Sequence, residues 1–315
     1  MSAPAAALLP YEPAQFEGLP PDLPVHVWDG AAPPPPQEIL DTVGFFTVPY
    51  LGTAAALPLL PRMPALRVVQ TLTAGVDDVL PYLPAGAVLC NARGVHDAST
   101  AELALALILA SLRDIPGFVR GQDAEQWRSG FYPALADRTV LVVGYGSIGT
   151  AIEDRLTPFE CRVRRVARTA RQTPRGPVHP LSALPDLLPE ADVVVLVVPQ
   201  TEQSRGLVGT EFLSRMRDGA LLVNVGRGPV VDTAALLAEL ESGRLRAALD
   251  VTDPEPLPPG HPLWHAPGVL ISPHVGGSSS AFLPRALRLV SAQLRRYAAG
   301  ELPDHQVHHR PEQGV

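Results

Sequence analysis

The chain contains no lysine, and all 25 of its cationic side chains are arginine. A Schiff-base mechanism and a phosphate-loop lysine are excluded together, because each needs a primary amine. Cysteine is nearly as scarce. Only Cys90 and Cys161 occur in 315 residues, each inside or beside an apolar run, so buried thiols in a reducing cytosol are expected rather than a disulfide framework. The net charge is -7, which leaves no basic surface for nucleic acid or anionic lipid. Long apolar runs are missing too: the longest helical one, Leu103 to Leu112, is too short to span a bilayer. The start, Met1-Ser2-Ala3-Pro4, lacks the basic patch and uninterrupted apolar region of a signal peptide. The expectation is a cytoplasmic protein with no nucleic-acid and no membrane partner.

What the chain does have is length for two domains and a regular alternation of elements. Short strand-like pieces (Val25 to Trp28, Thr42 to Val48, Leu66 to Gln70, Ala87 to Cys90) are separated by proline-rich turns. Pro33 to Pro36 reads as an exposed loop before a helix, with a polyproline ligand as the alternative. Asp97-Ala98-Ser99-Thr100 precedes an apolar helix, Ala101 to Leu112, with Glu102 in its first turn. From Thr139 onward strands and helices alternate, with helices starting near Ser147, Leu181, Glu211 and Asp232. That pattern means a parallel sheet covered on both faces. A Gly/Ser stretch, Gly276 to Ser280, precedes a last amphipathic helix, Phe282 to Tyr297. The expected layout is a discontinuous outer domain, residues 1–97 plus 278–315, around an inserted nucleotide domain, 98–277.

A polar group follows each apolar strand of the second part. Gly144-Tyr145-Gly146-Ser147-Ile148-Gly149 follows Thr139 to Val143, the context that turns a bare GxGxxG into a dinucleotide fingerprint. Gly144 would make the tight turn, Gly146 would let the backbone approach a pyrophosphate, and Gly149 would let helix and strand pack closely. Pro199-Gln200-Thr201, Gly226-Arg227-Gly228, Asp250 with Glu255, and Pro273-His274 follow four later apolar runs in turn. In an open α/β sheet ligands bind beyond the carboxyl ends of the strands. An arginine, a glutamate and a histidine there, beside a dinucleotide loop, suggest hydride transfer to or from a small anionic substrate.

The cofactor's identity is read from an absence. An acid usually ends the second strand to bind the ribose hydroxyls, but Ala167 stands in that place, followed by Arg168, Thr169 and Arg171. Guanidinium groups without a competing carboxylate suit a 2′-phosphate. NADP is therefore expected to be preferred, with NAD possible; a plain solvated arginine face is the competing explanation.

These motifs together resemble the D-isomer-specific 2-hydroxyacid dehydrogenases over nearly the whole chain. The match runs through Thr73-Ala74-Gly75-Val76-Asp77-Asp78, Asn91 to Glu102, Gly144 to Gly149, Val198 to Thr201, Asn224 to Gly228, Leu249 to Val251 with Glu255-Pro256, and Ser272-Pro273-His274. The resemblance implies two Rossmann-like doubly wound α/β domains and three catalytic residues. Arg227 would hold the 2-oxo acid's carboxylate and polarise its carbonyl, His274 would exchange the proton, and Glu255 would orient the imidazole. It further implies that backbone amides of Ala74, Gly75 and Val76 hold the substrate carboxylate. Thr100, Pro199, Thr201, Val225 and Asp250 would line the cofactor, with Ser147 and Ile148 at its loop.

The same resemblance makes the Arg113 to Ala136 segment, with Trp127, Phe131 and Tyr132, a dimer arm, hence a homodimer; packing within one subunit is the alternative. The implied partner is a small 2-oxo or 2-hydroxy acid, such as glyoxylate or hydroxypyruvate. Formate- or phosphite-type dehydrogenases share the fold. The Glu255–His274 combination argues against the first and Ala74 against the second. A dinucleotide-sensing protein with little turnover is the alternative from another class. His261 and His265 read as loop residues. His305, His308 and His309 look like a metal cluster but are read as a tail, and no metal is expected.

Overall fold

A computed structural model describes residues 5–307; the Met1 to Pro4 start and His308 and His309 lie outside the described residues. The chain divides into two compact units. One takes the chain up to His96 and again from Ser280, and the other runs Asp97–Ser279.

The first unit is built on a five-stranded parallel sheet: β1 (Ala6–Leu9), β2 (Val25–Val27), β3 (Val43–Thr47), β4 (Val68–Gln70) and β5 (Val88–Cys90), in the order β2-β1-β3-β4-β5. Strand β1 was not expected from the sequence. It is four apolar residues with no alternation, because both faces of the sheet are covered. Alternate residues of the strands feed two cores, with Leu8, Phe46 and Val69 on one side and Leu9, Phe45 and Val68 on the other. The helix at the chain's end covers the second side through Phe282, Ala286, Val290 and Leu294. Cys90 lies in that core, and burial, then the Asp304 charge, push its thiol up to about 12, which makes it an inert apolar filler.

The second unit opens with α1 (Asp97–Leu112) and α2 (Ile115–Asp123). An eight-stranded sheet follows: β6 (Thr139–Val143), β7 (Arg162–Ala167), β8 (Arg171–Thr173), β9 (Gly176–Pro180), β10 (Val193–Leu196), β11 (Leu221–Asn224), β12 (Arg246–Leu249) and β13 (Val269–Ile271). The order is β13-β12-β11-β10-β6-β7-β9-β8, parallel except for the edge strand β8. Chain direction along the sheet reverses between β6 and β10, the place where doubly wound sheets bind dinucleotides. Strand faces separate cleanly: Leu141, Val143, Val194 and Leu196 pack on one layer, and Val140, Val142, Val193 and Val195 on the other.

Helix α3 (Ser147–Leu156) follows β6, and α4 (Thr210–Arg215) and α5 (Thr233–Glu241) follow β10 and β11. Asp232 caps α5 by accepting from Ala234 N and Ala235 N at 3.0 and 3.1 Å, and Gly243 follows the helix in a left-handed conformation (φ 72°). The helix expected near Leu181 resolves into a 3-10 turn, Leu181–Ala183, and one helical turn, Leu184–Leu187. Pro185 and Pro189 lack the N–H that a longer helix would need. No described helix is long and apolar enough to cross a membrane.

Candidate active site

The glycine loop sits at the reversal between β6 and β10, and each glycine has a separate reason to be there. A Cβ on Gly144 would lie 2.5 Å from the Val197 carbonyl oxygen, and its φ is +107°. A Cβ on Gly149 would lie 2.7 Å from the Gly144 oxygen, so helix and strand could not approach. Gly146 differs: a Cβ there meets no protein atom within 4 Å. Nothing in the protein demands that glycine, but a group lying on the backbone would. The first intrahelical bond runs from Thr150 N to Gly146 O, so the amides of Ser147, Ile148 and Gly149 are the open first-turn donors.

Beside this loop lies a cavity of about 360 Å³. Gly146, Arg168, Thr169, Arg171, Pro199 and Thr201 are among its walls, all but Arg171 of them cofactor positions expected from the sequence. Arg168 is exposed and joins no ion pair among the described residues. Arg171, on β8, donates to the Tyr145 carbonyl at 2.5 Å and lies 5.8 Å above the Tyr145 ring. Behind it is a buried network that the sequence did not reveal. The Tyr145 hydroxyl donates to Glu153, and Arg165 grips the same carboxylate through two N–H groups. Burial, then the Glu153 carboxylate, push the Tyr145 phenol up. Pro199 and Thr201 are tied by Ser204, whose hydroxyl donates to Pro199 O at 2.7 Å and accepts from Thr201 N at 2.8 Å. These residues fit a dinucleotide: an open backbone cradle, a helix start, and a walled cavity with cations at its rim.

Arg227, Glu255 and His274 follow the carboxyl ends of three adjacent strands, β11, β12 and β13. Glu255 and His274 are in direct contact, Oε1 to Nδ1 at 2.5 Å. Against an ionised Glu255 carboxylate, which can only accept, Nδ1 carries the proton of this bond and Nε2 is the other ring nitrogen. His274 holds a left-handed backbone (φ 53°) uncommon outside glycine. Asp250, buried at the end of β12, explains how this conformation is kept. Its carboxylate accepts from Ser272 Oγ at 2.6 Å, Val275 N at 2.9 Å and Gly276 N at 2.8 Å, while its carbonyl accepts from His274 N at 2.8 Å. The expected cofactor-lining residue thus spends its hydrogen bonds on the histidine loop. Thr100 adds a bond to Gly276 O at 3.2 Å.

Arg227 is half-buried, and its Nη1 donates to Gly226 O at 2.8 Å. Asn224 shapes the turn, accepting from Gly226 N and donating to Arg227 O, both at 3.0 Å. A Cβ on Gly228 would collide with the Thr252 carbonyl, and one on Gly226 would lie 2.8 Å from Val198 O. The two glycines flanking Arg227 therefore serve close backbone passage. Val225, buried beside them, belongs to the sheet's core layer.

In the first unit, the loop after β4 carries Ala74, Gly75 and Val76. Side chains draw its carbonyls inward: Thr71 Oγ1 donates to Thr73 O at 3.0 Å, Asn91 Nδ2 to Ala74 O at 3.0 Å, and Thr73 Oγ1 to Gly75 O at 2.7 Å. The amides of Ala74, Gly75 and Val76 donate to no acceptor among the described residues. Asp77 and Asp78 are exposed. His261 caps a short turn through Nδ1 and Leu263 N at 3.3 Å, and His265 lies on the surface.

The nucleotide loop and the carboxylate–imidazole pair together define a dinucleotide-dependent oxidoreductase. Comparison with known proteins makes this specific. Residues 105–276 match the model of the NAD-binding domain of D-isomer-specific 2-hydroxyacid dehydrogenases. The chain is 33% identical over 294 residues to a glyoxylate reductase of Aeropyrum pernix, covering 89% of this chain and 88% of that one. It is 36% identical over 228 residues to the mouse glyoxylate reductase/hydroxypyruvate reductase, covering 68% of each. Among solved structures, a D-isomer-specific 2-hydroxyacid dehydrogenase of Xanthobacter autotrophicus Py2, in complex with NADPH and MES, superposes with a TM-score of 0.81 at 31% identity, covering 97% of this chain and 98% of that one. An NADPH-dependent glyoxylate/hydroxypyruvate reductase of Sinorhizobium meliloti, in complex with NADP and sulfate, also gives 0.81, at 27% identity and with the same coverage. The chain belongs to the D-isomer-specific 2-hydroxyacid dehydrogenase family and is an NAD(P)-dependent oxidoreductase.

Proposed function

We propose that the protein is an NADPH-preferring reductase of small 2-oxo acids of the glyoxylate or hydroxypyruvate type, working as a cytoplasmic homodimer. The observation that carries the catalytic reading is the 2.5 Å contact between Glu255 and His274 beside the Arg227 turn. Glu255 orients the imidazole through Nδ1 and offsets the charge of its protonated form. His274 passes a proton from Nε2 to the carbonyl oxygen of the 2-oxo acid as that oxygen gains charge, and takes it back in the oxidative direction. Arg227 pairs with the substrate carboxylate and draws electron density from the carbonyl. The open amides of Ala74, Gly75 and Val76 are assigned to the same carboxylate. A bound nicotinamide supplies the hydride.

The first-turn amides of Ser147, Ile148 and Gly149 would hold the pyrophosphate, with Gly144 and Gly146 forming its loop. Pro199, Thr201, Val225, Asp250 and Thr100 would border the remainder. Arg168 and Thr169, with no acid at Ala167, support a 2′-phosphate. The homodimer is supported by Trp127 and Phe131, which are fully exposed on an irregular segment, whereas Tyr132 packs edge-on against Phe118 at 4.9 Å.

A panel of 2-oxo acids assayed with NADPH and NADH tests the reading, alongside R227A and H274A. Reduction of glyoxylate or hydroxypyruvate, with R168A losing roughly tenfold or more in kcat/KM for NADPH alone, is the expected result. Equal or better efficiency with NADH in the parent protein would refute the cofactor preference. Full activity in H274A would refute the proton donor.

A further inference from the structure

A second cavity, of about 540 Å³, opens at the opposite end of the sheet of the Asp97–Ser279 unit. Its walls include Ser111 near the end of α1, Arg120 on α2, Arg246 as the first residue of β12, and His265 and Gly268 ahead of β13. The strands run parallel here, so this is the end away from Asp250, Glu255 and His274. None of the wall residues belongs to the cofactor or catalytic groups. Asp114, Pro116, Arg120, Tyr132 and Pro133 lie in the Arg113 to Ala136 segment proposed as the dimer arm, so the titration is made on the protein in its native oligomeric state.

Arg246 sets the chemistry. Its guanidinium donates to Ser111 O at 3.3 Å and to Gly219 O at 3.2 Å, and no carboxylate pairs with it among the described residues. Arginine has five N–H donors, so three are left over. Burial, and then the nearby Arg138 charge, push this guanidinium below its ordinary value, the mark of a cation short of compensation. Arg138 itself has a carboxylate partner, Asp192, which it shares with Arg217 at 2.8 and 2.9 Å. Ser111 adds a hydroxyl that is buried and has no hydrogen-bond partner among the described residues. Gly268, at φ +68°, leaves 3.1 Å between a built Cβ and Arg246 Cγ, so the arginine stem lies pressed across that glycine. The one acid on the wall, Asp114, stands against two arginines. In a chain of net charge -7, a lined cavity with an uncompensated cation is a local exception.

We propose that this cavity binds a small oxyanion, a phosphate or a carboxylate group, with Arg246 as its principal ligand and Ser111 Oγ as a second donor. The site is independent of the catalytic assignment, so the two readings can fail separately. Guanidinium–oxyanion pairing and the hydroxyl complete the hydrogen bonds that the folded chain leaves open.

The test titrates inorganic phosphate, and separately citrate, into the full-length protein saturated with NADP, at constant ionic strength, by calorimetry. The parent protein is expected to bind at least one of them, and which one identifies the preferred oxyanion. R246M should bind about tenfold or more weakly, and S111A roughly threefold more weakly. Anions held at the glycine loop or by the amides of Ala74 to Val76 are common to all three proteins, so the difference isolates the cavity. Absence of binding to the parent protein overturns the proposal, and so does unchanged affinity in whichever of the two variants folds.

Discussion

Replacing Glu153 by glutamine removes the negative partner of the most enclosed ion pair among the described residues. Glu153 is 4% exposed and Arg165 9%. Two N–H groups of Arg165 and the Tyr145 hydroxyl all point at the one carboxylate. Breaking a buried pair by removing one partner costs about 3–5 kcal/mol, because the other charge stays buried. Glutamine keeps an acceptor for one of these donors, so the expected loss is about 2–4 kcal/mol. For a unit of this size that corresponds to a fall of roughly 5–15 °C in Tm.

The loss should depend on pH in a definite direction. Burial by itself raises the Glu153 pKa, but the hydrogen bonds from Arg165 and Tyr145, with the arginine charges, outweigh it and hold the carboxyl below its ordinary value. A depressed folded pKa stabilises the fold above the unfolded value and ceases to do so as pH falls through the folded one. The difference between parent and E153Q is therefore full at pH 7.5 and shrinks below about pH 4. Urea denaturation of both proteins across this range measures it. Asp192 is also held low, where the Thr139 N–H and then its arginine partners outweigh burial, and Glu239 is held low by Arg244, so the parent itself weakens in acid and only the difference between proteins is diagnostic. A gap under about 0.5 kcal/mol at pH 7.5, or one indifferent to pH, would refute the reasoning.

Three further outcomes follow from the site. G146A should keep its Tm while losing cofactor affinity tenfold or more, as its Cβ meets no protein atom; G149A should instead lose roughly 1–3 kcal/mol of stability by crowding. Denaturation and fluorescence titration of NADPH separate the two. E255Q should lower kcat by about ten- to a hundredfold with little change in KM, measured in steady state, because it disturbs the imidazole rather than substrate binding. W127D with F131D should convert a dimer to monomers in sedimentation, and a parent protein that is already monomeric would remove the arm's assignment.

Strand positions were legible from the sequence wherever an apolar run ended in a turn, because a strand covered on both faces must be apolar throughout. Thr139–Val143 and Leu221–Asn224 are such cases. Strand β8 was not legible: Arg171–Thr173 is polar, and it is a strand only because it pairs with Gly176–Pro180 at the sheet's edge. The glycine turn after Thr139–Val143, and the placing of Arg227, Glu255 and His274 just beyond strand ends, were legible because each depends on local sequence. Asp250 was placed correctly at a strand end, but the partners of its carboxylate, Ser272, Val275 and Gly276, lie more than twenty residues later in the chain.

The chain's composition and order of motifs by themselves determined the fold class and a nicotinamide cofactor, and they singled out the side chains proposed to react. Those properties depend on residue type and on spacing within one strand–turn unit. Tertiary structure alone decided which groups meet: Glu153 with Arg165 and Tyr145, Asp250 with the His274 loop, and Arg246 with backbone carbonyls and no paired carboxylate among the described residues. Pairing of that kind is set by which strands become neighbours in the sheet, and neighbours in space are not neighbours in sequence.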